Sequence, residues 1–312
     1  MKITRLSECT FEQAIQVWNK GFEGYFADVT MSLDGFIARL SAVGLSAEGS
    51  IVAWENNQPV GFILNGFRTV RGVKIAWNGG TGVDPQFRGT GYGRRMMEAC
   101  LDVYKEHDVD IAYLEAIAQN TPAIALYERM GYRVVDHLTF FTHTGPLPND
   151  AFRLKGDGES NNGLTKSDEG VGQVVRGLPQ QVAQLPFYQA FSSWQTQWQS
   201  VSGGQAVILL DSKGDAMAYA LYKSMLNDAG EVSAISLLQC ATREDIADQA
   251  SVIRRVCCEV YGPFDLSCTR STVNTPASGQ VLVKVLEEGG FTPRAQQVMM
   301  QMDLSDGLRI NS

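Results

Sequence analysis

Val83-Asp84-Pro85-Gln86-Phe87-Arg88-Gly89-Thr90-Gly91-Tyr92-Gly93-Arg94-Arg95 is the stretch on which the reading of this chain turns. It follows an apolar run at 74–83 that reads as a strand. It precedes a segment at 91–106 whose Met97, Leu101 and Tyr104 fall on one helical face. At a strand-to-helix junction, successive backbone N–H groups converge on one concavity, and the helix dipole adds positive potential. Glycines permit close approach and left-handed dihedrals, and Arg88, Arg94 and Arg95 add cationic charge. The ligand implied is a phosphate or pyrophosphate. Three patterns compete for it. A P-loop needs Gly-Lys-Ser/Thr, which does not occur here. Gly-x-Gly-x-x-Gly fails from either start, because Arg94 and Met96 stand where the last glycine belongs. Arg-x-x-Gly-x-Gly fits, as Arg88-x-x-Gly91-x-Gly93.

Further along runs Asn120-x-x-Ala123-x-x-Leu126-Tyr127-Glu128-x-x-Gly131-Tyr132. With Val83-Asp84-Pro85, the glycine loop and this segment in that order, the chain resembles the GNAT superfamily of N-acetyltransferases over most of residues 1–143. The resemblance implies that the loop (Arg88, Gly89, Thr90, Gly91, Tyr92, Gly93, Arg94) binds the pyrophosphate of acetyl-CoA. It implies that a fourth strand, containing Gly79, Gly80, Gly82 and Val83, splays from the fifth and pairs with the pantetheine arm. The Val83 N–H, or a neighbour's, would then face the thioester oxygen. Asn120 would bind the cofactor arm, and Tyr127 would protonate the departing thiolate. Read by themselves, Tyr127 also suits core packing and Asn120 also suits a helix cap. A base is needed for the attacking amine. Glu115, on the expected fifth strand at 111–118, is the candidate by position, with a salt bridge or an outward strand position as its alternatives. Glu23 and Asp28 flank aromatic residues in the region that covers the acceptor in that family; solvated loop charges are the other reading.

Outward from this core, a helical region at 11–40 and a hairpin of 50–54 with 59–64 precede the loop. Residues 144–172 are rich in Gly, Pro, Asn, Asp and Ser, and read as a linker. The second half repeats parts of the first. Asn120-Thr121-Pro122-Ala123 returns as Asn274-Thr275-Pro276-Ala277, and Gly131-Tyr132 is matched by Gly290-Phe291. A hairpin recurs at 206–210 and 216–222. No Arg-x-x-Gly-x-Gly follows the run at 235–238; instead Thr242-x-x-Asp245 reads as an internal helix cap, with Glu244 beside it. Val283, Val285 and Leu286 stand near the Tyr127 equivalent. Trp194 and Trp198 are placed on one helix face.

The fold expected is α/β: two GNAT-like domains, each a mixed, mostly antiparallel twisted sheet flanked by helices. The boundaries are 1–147 for the catalytic domain, 148–170 for the linker and 171–312 for a degenerate copy with lost or altered cofactor binding. The 312 residues suit two domains, and the net charge of −8 argues against a nucleic-acid partner. No signal-like or membrane-spanning run occurs, so a cytoplasmic protein without membrane contact is expected. Six cysteines without a CxxC pair, and three histidines, give no metal site by spacing. The function expected is direct acetyl transfer from acetyl-CoA, the cosubstrate, to a primary amine, with a small molecule as the leading acceptor. Alternatives are a protein N-terminal or lysine acetyltransferase and a non-catalytic acyl-CoA sensor. A homodimer is left open.

Overall fold

The computed structural model describes residues 1–153 and 171–305. The Gly/Asn-rich middle of the expected linker, residues 156–163, lies outside the described residues. In chain order the first elements are β1 (Lys2–Arg5), α1 (Phe11–Gly21), α2 (Leu33–Ala42), β2 (Leu45–Glu55), β3 (Gln58–Val70), β4 (Val73–Val83), α3 (Tyr92–Glu106), β5 (Ile111–Ile117), α4 (Thr121–Arg129) and β6 (Arg133–Thr144). There follow β7 (Val171–Gly177), α5 (Pro179–Val182), β8 (Gln205–Asp211), β9 (Ala216–Leu226), β10 (Val232–Thr242), α6 (Gln249–Tyr261), β11 (Thr269–Thr272), β12 (Thr275–Pro276), α7 (Gln280–Glu288) and β13 (Thr292–Asp303).

The chain forms two compact units, Met1–Val135 with Gln297–Ser312, and Asp136–Gln296. In the first, the strand order is β1-β2-β3-β4-β5-β13. Every pair is antiparallel except β4–β5. In the second, the order is β7-β8-β9-β10-β11-β6, with β10–β11 the parallel pair. The two orders are the same architecture, which is what a duplication produces. Each unit takes its last strand from the other half of the sequence. Residues 297–303 of β13 lie against β5, and β6 lies against β11 and β12. No single cut of the chain, at 147 or elsewhere, therefore separates the units.

Local sequence explains the main turns. The β2–β3 hairpin closes on Asn56 and Asn57, both left-handed (φ 48° and 61°). Asparagine tolerates that region, and such turns match the strand twist. Period-two alternation then divides the first unit into two cores. Val52, Phe62 and Leu64 pack with Trp18 of α1 and Phe36 of α2. Ile51, Ala53 and Ile63 pack with Met96, Met97 and Cys100 of α3 and Tyr127 of α4.

The repeat is real but lies in a different register from the tetrapeptide match. Tyr132 N–H donates to Tyr127 C=O, and Phe291 N–H to Leu286 C=O, both at 3.0 Å. Gly131 and Gly290 are both left-handed at these helix ends. These equivalents lie 159 residues apart, whereas Asn120 and Asn274 lie 154 apart. Asn120 caps α4, which begins at Thr121. Asn274 instead takes φ 50°, Thr275–Pro276 forms β12 on β6, and α7 begins only at Gln280.

Candidate active site

The parallel ladder between β4 and β5 runs from Ile75↔Ile111 to Asn78↔Leu114 and stops. Beyond it, β4 stays with β3 as far as Gly61↔Val83, while β5 stays with β13 through Glu115↔Met299. The strands splay from that point. The cause is legible in β4. Leu64 faces Gly80 but Asn65 faces Asn78, so Gly79 is an extra, bulged residue. A Cβ there would stand 2.4 Å from the Trp77 ring, which only glycine avoids. Asn78 braces the bulge. Its Oδ1 accepts from Gly80 N–H at 3.1 Å and its Nδ2 donates to Thr81 Oγ1 at 2.8 Å. Gly82 is equally confined, since a Cβ would meet the Phe62 ring at 2.4 Å. At the strand end, Asp84 N–H donates to Val60 C=O at 2.8 Å. Antiparallel alternation then turns the Val83 N–H away from β3, toward the splay.

The glycine loop leads from this edge into α3. Pro85–Phe87 is a short 3-10 turn capped by Asp84, and Thr90 Oγ1 donates to Phe87 C=O at 2.6 Å. The N-cap of α3 is Gly91, left-handed at φ 89°, with no side-chain cap and no acidic residue in the first turn. The first intrahelical bond runs from Arg95 N–H to Gly91 C=O. The N–H groups before it have no helical acceptor and are positioned for an anion. Gly89 and Gly91 have nothing within 4 Å of an added Cβ, so the loop's surface is open.

The side chains of the loop do something other than the sequence implies. The Arg88 guanidinium donates to Val83 C=O (2.9 Å), Gly21 C=O (3.1 Å) and Glu23 C=O (2.7 Å). It ties the C-terminal end of α1 to the end of β4, where it meets the negative pole of a helix. Arg94 pairs with Glu98 at 2.9 Å along α3. The Tyr92 hydroxyl donates to Glu55, which also holds the N-terminal ammonium. The donors this junction presents are thus the backbone N–H groups of its glycines and of the first turn of α3, with the exposed Arg95 side chain beside them.

A second group lines the far side of the splay. Asn120 Oδ1 accepts from Ala123 N–H at 3.4 Å, capping α4. Tyr127 is buried in the α3/α4 core. Burial pushes its phenol up to about 12, opposed by a hydrogen bond with the Thr81 side chain. A phenol so placed keeps its proton through neutral pH. Tyr25, from the α1–α2 connection, hydrogen-bonds the Asn120 side chain and is raised by burial. Glu115 alternates to the opposite face of β5 from Leu114 and Ala116. There it accepts from Trp77 Nε1 at 2.6 Å and acts electrostatically on Arg39. Arg39 Nη2 donates to Gly79 C=O at 2.9 Å, with its guanidinium 5.2 Å from the Trp18 ring. Glu23 pairs with Lys20, and Asp28 accepts from Thr30 N–H, so both are local turn and surface groups. Tyr25, Thr81 and Arg39 were not singled out from sequence. Tyr25 and Arg39 reach the splay from distant segments, while Thr81 lies on β4 itself, and the aromatic cluster around Tyr25 was the one available signal.

The second unit differs at the equivalent places. Its helix α6 begins at Gln249, and its N-cap is Asp248 rather than the Thr242/Asp245 pair expected. Asp248 accepts from Ser251 N–H at 3.0 Å and from the Ser251 hydroxyl at 2.6 Å. Asp245 instead binds Arg243 at 2.6 Å, in a loop the sequence pattern could not position. Leu286, fully buried, stands at the place of Tyr127. Trp194 and Trp198 begin two separate 3-10 turns and share no helix face, because the extended Gln197 stands between them.

A splayed mixed sheet, an uncapped glycine-led helix after its fourth strand and a buried tyrosine on the next helix define an acyltransferase-type α/β fold. Residues 11–132 match the model of the acetyltransferase (GNAT) family, and this segment is a GNAT domain. The fold similarity extends over both units. A GCN5-related N-acetyltransferase from Sphaerobacter thermophilus superposes with TM-score 0.59 at 12% identity, over 97% of this chain and 95% of its own. A tandem GNAT protein from the clavulanic acid biosynthesis pathway gives 0.59 at 14%, over 97% and 98%. Among curated relatives, the ribosomal protein bS18-alanine N-acetyltransferases of Escherichia coli (strain K12) and Salmonella typhimurium are 40% and 42% identical over 50 residues. That stretch is 16% of this chain, and it spans about a third (34%) of each relative's length. No helix among the described residues is long and apolar enough to cross a membrane.

Proposed function

We propose that the first unit is an acetyl-CoA-dependent N-acetyltransferase acting on a primary amine. The observation that carries this reading is the pairing of an uncapped α3 N-terminus with a proton-bearing Tyr127 across the β4–β5 splay. The loop's open backbone fits a pyrophosphate, and the unpaired edge of β4 fits an amide-bearing arm. Acetyl-CoA supplies an activated acetyl thioester. The chain's own contributions follow from position. The N–H groups at 91–94 hold the diphosphate. The Val83 N–H faces the edge where charge develops on the thioester oxygen. Asn120 directs its amide into the splay, and Tyr127 delivers a proton at the sulfur. Glu115, on the opposite face, receives the proton of the attacking amine, directly or through water. Arg88 and Asn78 hold the strand end and the bulge in shape. The second unit, with a self-capped helix and a leucine at the acid position, supports the first and binds no acetyl-CoA.

A small-molecule amine is the leading acceptor, since neither half of the sequence is basic. The similarity to ribosomal-protein alanine N-acetyltransferases favours a second reading, a protein N-terminus. A thiol-release assay separates them, using small amines against peptides that begin with alanine. Turnover with the amines alone supports the first reading, and turnover with the peptides alone supports the second. Tight acetyl-CoA binding without turnover of any amine would point to an acyl-CoA sensor.

A further inference from the structure

Trp77 and Glu115 meet where β4 and β5 part. The parallel ladder ends at Asn78↔Leu114, so Gly79 and Glu115 are the first residues of the two strands beyond it. Trp77 lies just inside the ladder, opposite Tyr113, and is only 1% exposed. Its indole is fixed from both ends. The benzo edge rests on Gly79, with Cε3, Cζ3 and Cη2 at 2.4–2.8 Å from where a Cβ would stand. The opposite, pyrrole edge donates from Nε1 to Glu115 Oε2 at 2.6 Å. The bulge is itself pinned, since Arg39 Nη2 donates to Gly79 C=O at 2.9 Å. A bare Gly79 thus sets the indole, and the indole sets the carboxylate. Burial alone would be served by a phenylalanine. The polar edge of a buried tryptophan needs a partner, and here the partner is a carboxylate at the mouth of the splay.

We propose that Trp77 is a positioning residue for the general base: its indole N–H, aimed by the Gly79 bulge, holds the Glu115 carboxylate at the point where an acceptor amine meets the thioester. The inference rests on the reading of Glu115 as that base. A glutamate has several side-chain torsions, and fixing them in one rotamer needs an anchor. A carboxylate offers about four acceptor positions, so one bond from Trp77 does not exhaust Glu115 as a proton acceptor. As the C–N bond forms, one amine proton passes to Glu115 and on to water. The C–S bond breaks with its electron pair on sulfur, and the sulfur gains the proton of the general acid, so protons balance. One bulged glycine then serves both halves of the site. It opens the strands for the cofactor arm, and through Trp77 it aims the base.

The test is a double-mutant cycle, with the fastest amine of the thiol-release panel as the probe. Trp77→Phe keeps a ring in the core and removes the N–H. Glu115→Gln keeps an oxygen for the indole and removes the base. Glu115→Gln is expected to lower kcat about a hundredfold, as loss of a general base does. Trp77→Phe should lower it about tenfold, as for a base present but poorly aligned. Added to Glu115→Gln, Trp77→Phe should cost less than about twofold more, because the group it positions is already gone. The calorimetric Kd for acetyl-CoA should stay within about twofold throughout, since neither side chain belongs to the glycine loop. No loss in Trp77→Phe, or an equal loss in both backgrounds, assigns Trp77 to packing and overturns the proposal. If Glu115→Gln loses nothing, or no amine turns over, the base reading fails, and this inference with it. Should Trp77→Phe not fold, the wild-type indole carries the test. Its N–H proton resonance should move when the amine saturates the CoA complex, and stay in place in Glu115→Gln. A resonance that is still in the wild type, or moves equally in both, overturns the proposal.

Discussion

Helices α3 and α6 each follow the fourth strand of their unit, and each begins with N–H groups that no helical carbonyl can satisfy. α3 starts at a left-handed Gly91 with no side-chain cap. α6 starts at Asp248, whose carboxylate takes both the N–H and the hydroxyl of Ser251. A carboxylate at a helix N-terminus satisfies the orphan donors and the dipole from within. It also occupies the place an anionic ligand would take. One architecture thus yields a helix start without a side-chain cap and a helix start capped from within, and a single N-cap residue makes most of the difference. The same contrast appears one helix later, where Tyr127 and the apolar Leu286 occupy matching ends of α4 and α7.

The largest effect should come from making the first junction resemble the second. Gly91→Asp sets a carboxylate against the diphosphate, and juxtaposed like charges cost several kcal/mol. Calorimetry should show one acetyl-CoA per wild-type chain and a loss of roughly a thousandfold in affinity for the variant. Unchanged affinity, or two ligands on the wild type, would break the comparison. Tyr127→Phe should lower kcat about a hundredfold while the calorimetric Kd for acetyl-CoA stays within about twofold. A parallel loss of affinity would assign the tyrosine to packing instead.

The smallest effect belongs to the capped junction. Asp248→Ala removes the cap of α6 and should cost about 1 kcal/mol, lowering Tm by about 2–4 °C, with acetyl transfer unchanged. The Ser251 hydroxyl, and then its N–H, hold the Asp248 carboxyl below its ordinary value. A lowered carboxyl stabilises above that ordinary value, and its contribution is lost as pH falls through the folded one. The gap in Tm between variant and wild type should therefore be full at pH 7 and close in acid. A gap that widened in acid would contradict the capping role.

Much of this was legible in the chain. A strand ending in Val83-Asp84-Pro85 and a loop with Gly89 and Gly91 can hardly be anything but a tight junction, because both glycines need the left-handed region. The elements of the first half fall close to where periodicity places them. Three things were not legible. Arg88 looks like an anion ligand by type, but three backbone carbonyls claim its guanidinium. The start of α6 was placed too early, since Thr242-x-x-Asp245 satisfies a local rule that β10 overrides by extending through Thr242. Tyr25 meets Asn120 across most of the first unit's sequence, a contact that no local pattern encodes.

The tetrapeptide Asn-Thr-Pro-Ala marks the limit most clearly. By itself it permits a capped helix, since asparagine accepts from the third residue on and proline suits the first turn. At 120–123 that is what forms. At 274–277 the same residues give a left-handed asparagine and a short strand, because β6 offers a ladder for Thr275 and Pro276. Sequence alone determined the glycine junction and the apolar stripes that build the sheet of each unit. Tertiary structure alone decided which strands close those sheets, because hydrogen bonding along an open edge is satisfied by whichever segment the whole chain brings to it.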